Sequence, residues 1–179
     1  MALSHAIMTA LLDGKMSGYE LTKHFDTSLG FFWKASHQQI YKVLKDLEAK
    51  DLLAGERVPQ AGKPDKILYT LTDAGRQELD DWVMASSHFK DPRDDLLVKL
   101  YNLSSSNCAH LLHELANRRD AMQKRLALYH RIRGNHYADP DKLSLRRRGI
   151  YLALLAGIGS CEQYLAWIDE CEKHLASSA

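Results

Sequence analysis

Cysteine, proline and long apolar runs are all scarce in this chain. Its three cysteines, Cys108, Cys161 and Cys171, are too few and too odd in number for a disulfide framework. They read as reduced thiols filling apolar space. The longest apolar run, residues 150–158, is far too short to cross a bilayer. The first residues, M-A-L-S-H-A-I-M, lack the basic segment and long apolar core of a secretory signal. The expected location is the cytoplasm, with no membrane partner. Charge of one sign is also missing: a formal net charge of +1 excludes a global basic field, so any cationic surface has to be local. There is no glycine-rich phosphate loop and no nucleophile elbow. His110 and His113 share a helix face, but without the spacing or the further ligands that zinc requires. Neither enzyme activity nor a cofactor or metal is expected.

What is present suits a globular protein. The 179 residues are 45% hydrophobic and 26% charged, enough for one ordinary domain or two small ones. The most informative stretch is K-A-S-H-Q-Q-I-Y-K-V-L-K-D-L-E-A-K, residues 34–50. Ser36 followed three residues later by Gln39 is a capping box, which predicts a helix beginning at Ser36. Ile40, Val43, Leu44 and Leu47 recur at helical spacing as its buried stripe. Gln38, Lys42 and Lys45 then lie opposite that stripe, with Tyr41 on its flank. No acidic residue occurs from Lys34 to Lys45. Glutamine can pair bidentately with adenine, and lysine can contact guanine or phosphate.

The surrounding pattern supplies a context for that helix. Residues 2–12 form an apolar helix, and Ser17 offers a cap for a second one, with Tyr19, Leu21, Phe25 and Leu29 expected to face inward. Phe31, Phe32 and Trp33 read as core plugs in the connection. Residues 51–58 and 66–71 look like two strands about a loop containing Pro and Gly. Lys63 sits at the tip of this hairpin, with Arg57 and Lys66 near its base. A cationic hairpin directly after a helix-turn-helix is a winged helix.

Thr72 caps a further helix whose inward face is expected at Leu79, Trp82 and Val83. Residues 86–90 are the candidate domain boundary. Asp91-Pro92 then signals the start of a short helix ending near Tyr101. Two long helices follow, one to about Tyr137 and one opening at Asp139-Pro140. Their stripes, Leu111, Leu115 and Met122 on the first and Leu154, Ile158, Cys161, Leu165 and Ile168 on the second, approach a heptad rhythm. Apolar surface on this scale predicts a homodimer with these eight residues at the seam. Arg146, Arg147 and Arg148 read as a solvated basic face or as partners for acids across that seam. The expected fold is mainly α with a small β-hairpin wing: a winged helix-turn-helix domain in residues 1–88 and a helical dimerisation domain in residues 89–179.

Several segments resemble the PadR family of winged-helix transcriptional regulators. They are G-Y-E-L at residues 18–21, Q-I-Y-K-V-L-K-D-L-E at 39–48 and Y-T-L-T-D-A-G-R at 69–76. F-F-W-K-A-S-H-Q-Q-I-Y and G-K-P-D-K are similar to the virulence-activator branch of that family. Many members carry proline after the tyrosine of the third helix; Lys42 stands there in this chain, as in the activator branch. The resemblance implies a dimer whose third helix enters the major groove while the wings reach the flanking minor grooves. Carried onto this chain, it makes Gln38, Gln39 and Lys42 groove residues, Tyr41 a phosphate contact, and Gly62 with Lys63 the wing tip. The resemblance also implies that some relatives release DNA on binding phenolic or other small molecules between the two domains, and Trp82, Phe89 and Tyr137 are candidates to line such a site.

The expected function is a homodimeric, sequence-specific regulator of transcription on double-stranded, pseudo-palindromic DNA. The recognition helix is residues 36–50 and the wing residues 57–66. Gln38, Gln39 and Lys42 meet base edges, Lys34, Tyr41, Lys45, Lys63 and Lys66 meet phosphate, and Ser36, His37 and Gly62 complete the expected DNA-binding set. Two alternatives are a winged-helix adaptor that binds protein rather than DNA, and a repressor responsive to an aromatic ligand.

Overall fold

In the computed structural model, residues 2–27, 35–60, 62, 65–87 and 94–176 are described. The chain divides into two compact units, residues 1–89 and 90–179. Among the described residues, no helix is long and apolar enough to cross a membrane.

The first unit contains helix α1 (Ala2–Ala10), strand β1 (Met16–Ser17), helices α2 (Gly18–Thr27) and α3 (His37–Glu48), strands β2 (Leu53–Val58) and β3 (Lys66–Leu71), and helix α4 (Asp73–Met84). The sheet has three antiparallel strands in the order β1-β3-β2. The hairpin pairs Leu53 with Leu71 and Val58 with Lys66. The third strand, β1, was not expected. It is two residues long, too short to show a periodicity, and it exists by pairing Met16 with Tyr69 and Ser17 with Leu68 on the open edge of β3.

The core gathers Ile7, Leu21, Phe25, Ile40, Leu44, Leu47, Tyr69, Leu71 and Leu79. Three residues expected to face inward do not: Tyr19 is 57% exposed, Trp82 45% and Val83 64%. Lys23 lies over the Tyr19 ring, and the Trp82 indole stacks on the buried His5 ring with centroids 4.4 Å apart. Both aromatics therefore cover the rim of the core rather than fill it. Leu29 and the aromatics at 31–33 lie outside the described residues.

In the second unit, α5 (Asp95–Tyr101) is followed by α6 (Cys108–His136) and α7 (Leu145–Ala176). The capping residue of α5 is Asp94, whose carboxylate accepts from the Leu96 amide at 2.9 Å; Asp91 and Pro92 lie outside the described residues. Asp139-Pro140 opens only a 3-10 turn, Pro140–Lys142. The last helix starts later, with the Ser144 carbonyl accepting from the Arg148 amide.

Most of the residues expected at the seam are already covered within one chain. Leu111, Leu115, Leu154, Ile158, Cys161 and Ile168 are buried within the single chain. Met122 and Leu165 are half-buried. The two stripes are consumed mainly by each other, because an antiparallel hairpin closes at the entropy of a short loop, whereas a second copy must also lose its translational freedom. The Tyr129 ring packs so tightly on Gly157 that a Cβ there would lie 2.9 Å from it. Burial pushes the Cys161 and Cys171 thiols up from their ordinary pKa, away from thiolate reactivity.

A polar cluster fastens α5 to the hairpin. Arg118 reaches Asp94 at 2.5 Å, the Tyr164 hydroxyl at 2.9 Å and Glu114 at 3.0 Å. The Arg118 guanidinium holds the Asp94 carboxyl below the usual carboxylate range, and Lys99 does the same for Glu114 ahead of Arg118. On the next position, Arg119 binds Asp169 at 2.6 Å and Glu172 at 2.7 Å.

Candidate nucleic-acid interface

The outer face of α3 is set by its N-terminus. Ser36 Oγ accepts from the Gln39 amide at 3.3 Å, and Gln39 Oε1 accepts from the Ser36 amide at 2.9 Å. This reciprocal pair satisfies two donors that the first turn would otherwise leave orphaned. Ile40, Leu44 and Leu47 anchor the opposite face in the core. His37, Gln38, Tyr41, Lys42 and Lys45 are consequently all exposed. Gln38 and Lys42 are four residues apart, and Lys45 is three further on, so the three form one ridge. Neither lysine has an ion-pair partner among the described residues, so both ammonium groups face solvent.

Two expected contacts are already engaged. The Gln39 carboxamide oxygen belongs to the capping box, so this side chain cannot offer the oxygen and nitrogen together that adenine requires. Lys66 Nζ is 2.9 Å from Glu20 Oε1, an ion pair that a phosphate would have to displace. Glu20 also accepts from the Ser17 amide and hydroxyl at 2.7 and 2.8 Å. These bonds, that from Lys66 first, hold its carboxyl down at about 2. The pattern Ser17-x-x-Glu20 is itself a capping box, a signal present in the sequence beside the Ser17 cap. Its link to Lys66 was not legible, because 46 residues separate the partners.

Glu20 has a folded-state pKa below its unfolded value, so its contribution is present above about pH 4.5 and is lost as pH falls towards 2. Both partners are partly exposed, and solvent screening limits the clasp to about 1 kcal/mol or less. The expected result is that Glu20→Gln lowers Tm slightly at pH 7 and flattens the loss of Tm between pH 4.5 and 2. An unchanged acid profile would remove the clasp from the account.

Tyr41 is positioned by a contact that sequence reading missed. Its ring lies against Gly18, where a Cβ would come within 2.5 Å of the ring edge. Glycine at the start of α2 thus makes room for an aromatic on α3. On the hairpin, Arg57 is exposed without an ion pair among the described residues, and Gly62 takes the left-handed conformation at φ 71°. Lys34 and Lys63 lie outside the described residues, as does Phe89. Trp82 is engaged with His5, while Tyr137 contacts Tyr151 with ring centroids 5.5 Å apart.

Known proteins are similar to this chain in sequence and fold. The transcriptional regulator PadR-like family matches residues 7–81, and the virulence activator alpha C-terminal family matches residues 92–176. A probable transcriptional regulator from Mycobacterium tuberculosis is 35% identical over 185 residues, 98% of each chain. The negative transcriptional regulator PadR of Bacillus subtilis is 32% identical over 173 residues, 93% of each chain. The chain belongs to the PadR family of transcriptional regulators. Among solved structures, Bacillus subtilis PadR in complex with operator DNA is similar with a TM-score of 0.81 and 28% identity, covering 98% of this chain and 99% of that one. The Vibrio cholerae virulence activator AphA gives 0.80 and 30%, with 99% of each chain covered. Membership of the PadR family makes the chain a regulator rather than an enzyme.

Proposed function

We propose that this PadR-family chain acts as a homodimer that reads a specific duplex sequence with α3 in the major groove. Gln38 and Lys42 meet base edges, Tyr41 and Lys45 meet phosphate, and the hairpin lays Arg57 and its tip, with Lys63, along the flanking backbone. The observation that carries this reading is the exposed, acid-free ridge of α3, held by a complete capping box on a helix whose other face is core. The operator complex of Bacillus subtilis PadR supports it. A twofold partner is supported by apolar residues that the single chain leaves exposed on α7, namely Leu145 at 86%, Leu152 at 62% and Ile150 at 40%. These replace the buried stripe as the candidate seam.

Selection of bound duplexes from a random pool tests the proposal. The expected outcome is an enriched pair of half-sites about one helical turn apart. Gln38→Ala should then relax preference at one position, at a cost of about 1–3 kcal/mol there. Lys45→Ala should weaken all sequences alike. A pool that stays random would instead favour an adaptor that binds protein. A second reading adds an effector: a solved structure of Bacillus subtilis PadR contains p-coumaric acid. Stabilisation by aromatic acids in a thermal-shift screen, together with weakened operator binding, would support that addition.

A further inference from the structure

The unit that bears α3 is slightly acidic. Residues 1–89 hold ten basic against twelve acidic side chains, a net −2, so a surface for a polyanion depends on where the carboxylates are held. Two of them are answered by cations, Glu20 by Lys66 and Glu56 by Lys15 at 2.7 Å. Glu48, the last residue of α3, has no such partner among the described residues. It follows Tyr41 by seven positions and Lys45 by three, so all three share one stripe of the helix.

The Glu48 carboxylate lies on β2, over Gly55. A Cβ at Gly55 would collide with Glu48 Oε1 and come to 3.3 Å from its Cδ and 3.2 Å from an Ile67 methyl. Gly55 sits in a regular ladder, paired with Tyr69, and its backbone is not in the left-handed region. Glycine in such a place weakens a strand and has no conformational reason to be there; the space it leaves is filled by the carboxylate. Burial first, and the charge of Glu48 second, push the Tyr69 hydroxyl up from its ordinary pKa. Arg57 stands two residues beyond Gly55, on the same face of β2. The acid therefore has one cation a helix turn behind it and another two strand positions along, and pairs with neither among the described residues.

We infer that Gly55 is a positioning residue for DNA binding: the room it leaves on β2 keeps the Glu48 carboxylate off Lys45 and Arg57, so that both cations stay open to phosphate. The inference rests on the DNA-binding reading above. A carboxylate driven off the strand would pair with one of the two cations, and a phosphate would then have to displace it.

The test compares Gly55→Ala, Glu48→Gln, the double variant and Glu48→Asp with wild type on the selected operator and on a random duplex, across a salt series, with Tm as the control on folding. Gly55→Ala should bind both duplexes about two- to fivefold more weakly at low salt, the effect of breaking one exposed ion pair in each protomer. Its slope of log affinity against log salt should be shallower by up to about 0.9 per protomer. Glu48→Gln alone should bind within about twofold of wild type. The double variant should match it, because a neutral amide displaced from the strand leaves both cations free. Glu48→Asp, which withdraws the carboxylate from β2 by one methylene, should weaken binding in the same direction without touching the strand. Unchanged affinity in Gly55→Ala overturns the inference, and so does a loss that Glu48→Gln fails to restore, since such a loss is structural. If Gly55→Ala does not fold, wild-type affinity in Glu48→Asp overturns it. A wild type that binds no duplex removes the DNA-binding reading itself, whereas one that selects an operator beside an identical Gly55→Ala removes only the role of Gly55.

Discussion

Raising salt from 50 to 200 mM should weaken operator binding by about 10³–10⁵ if the dimer makes on the order of six to ten phosphate contacts. The phosphate contacts proposed per protomer are few and local: Tyr41 and Lys45 on α3, Arg57 on β2, and Lys63. Doubled by a twofold axis, these reach that range. With residues 1–89 at net −2, no diffuse field adds to them, so the slope should count discrete contacts. Lys45→Ala should make it shallower by about 0.9 per phosphate lost, whereas Gln38→Ala should leave it unchanged while altering preference. Fluorescence anisotropy across a salt series reads both quantities. A slope near zero would mean that affinity does not come from counterion release, and the assignment of the cationic residues would fall.

The largest single-methyl effect on stability is expected at Gly75. Gly75 is buried in the first turn of α4, and its amide donates to the capping Thr72 hydroxyl at 3.0 Å. A Cβ there would collide with the Leu52 carbonyl oxygen and approach a Leu71 methyl to 3.0 Å. That carbonyl also accepts from the Thr72 amide at 3.2 Å, so it cannot retreat without opening the junction of α3, β3 and α4. Gly75→Ala should cost about 1–3 kcal/mol. For a unit of this size each kcal/mol lowers Tm by about 4–8 °C. Gly149 in α7 provides the contrast, since a Cβ there meets nothing within 4 Å. Gly149→Ala should stabilise the hairpin by about 0.5–1 kcal/mol through the lower entropy of the unfolded chain. Calorimetry on the two variants decides the matter: if Gly75→Ala melts with wild type, the close approach is not a constraint.

Elements governed by near neighbours were legible. The Ser36–Gln39 capping box, the Ile40-Leu44-Leu47 stripe and the strands 53–58 and 66–71 all depend on residues within a turn or a pleat of one another. The mainly α fold with a winged helix followed from them, and the family comparisons agree. Where the reading failed, the cause was distant in sequence. The pairing of Lys66 with Glu20 of α2 could not be read from spacing. Trp82 had helical spacing for the core, yet His5 holds it at the rim.

By itself the sequence determined where helices begin, which faces are apolar and which ridge of α3 stays free of acid, because periodicity and capping act over three or four residues. Only the tertiary structure decided which apolar stripe is spent within the chain and which cations remain uncommitted. Leu115 and Ile168 are spent on each other's cluster, while Lys42 and Lys45 are left facing solvent. Burial and charge pairing belong to whichever surfaces folding brings together, and spacing along the chain does not specify those.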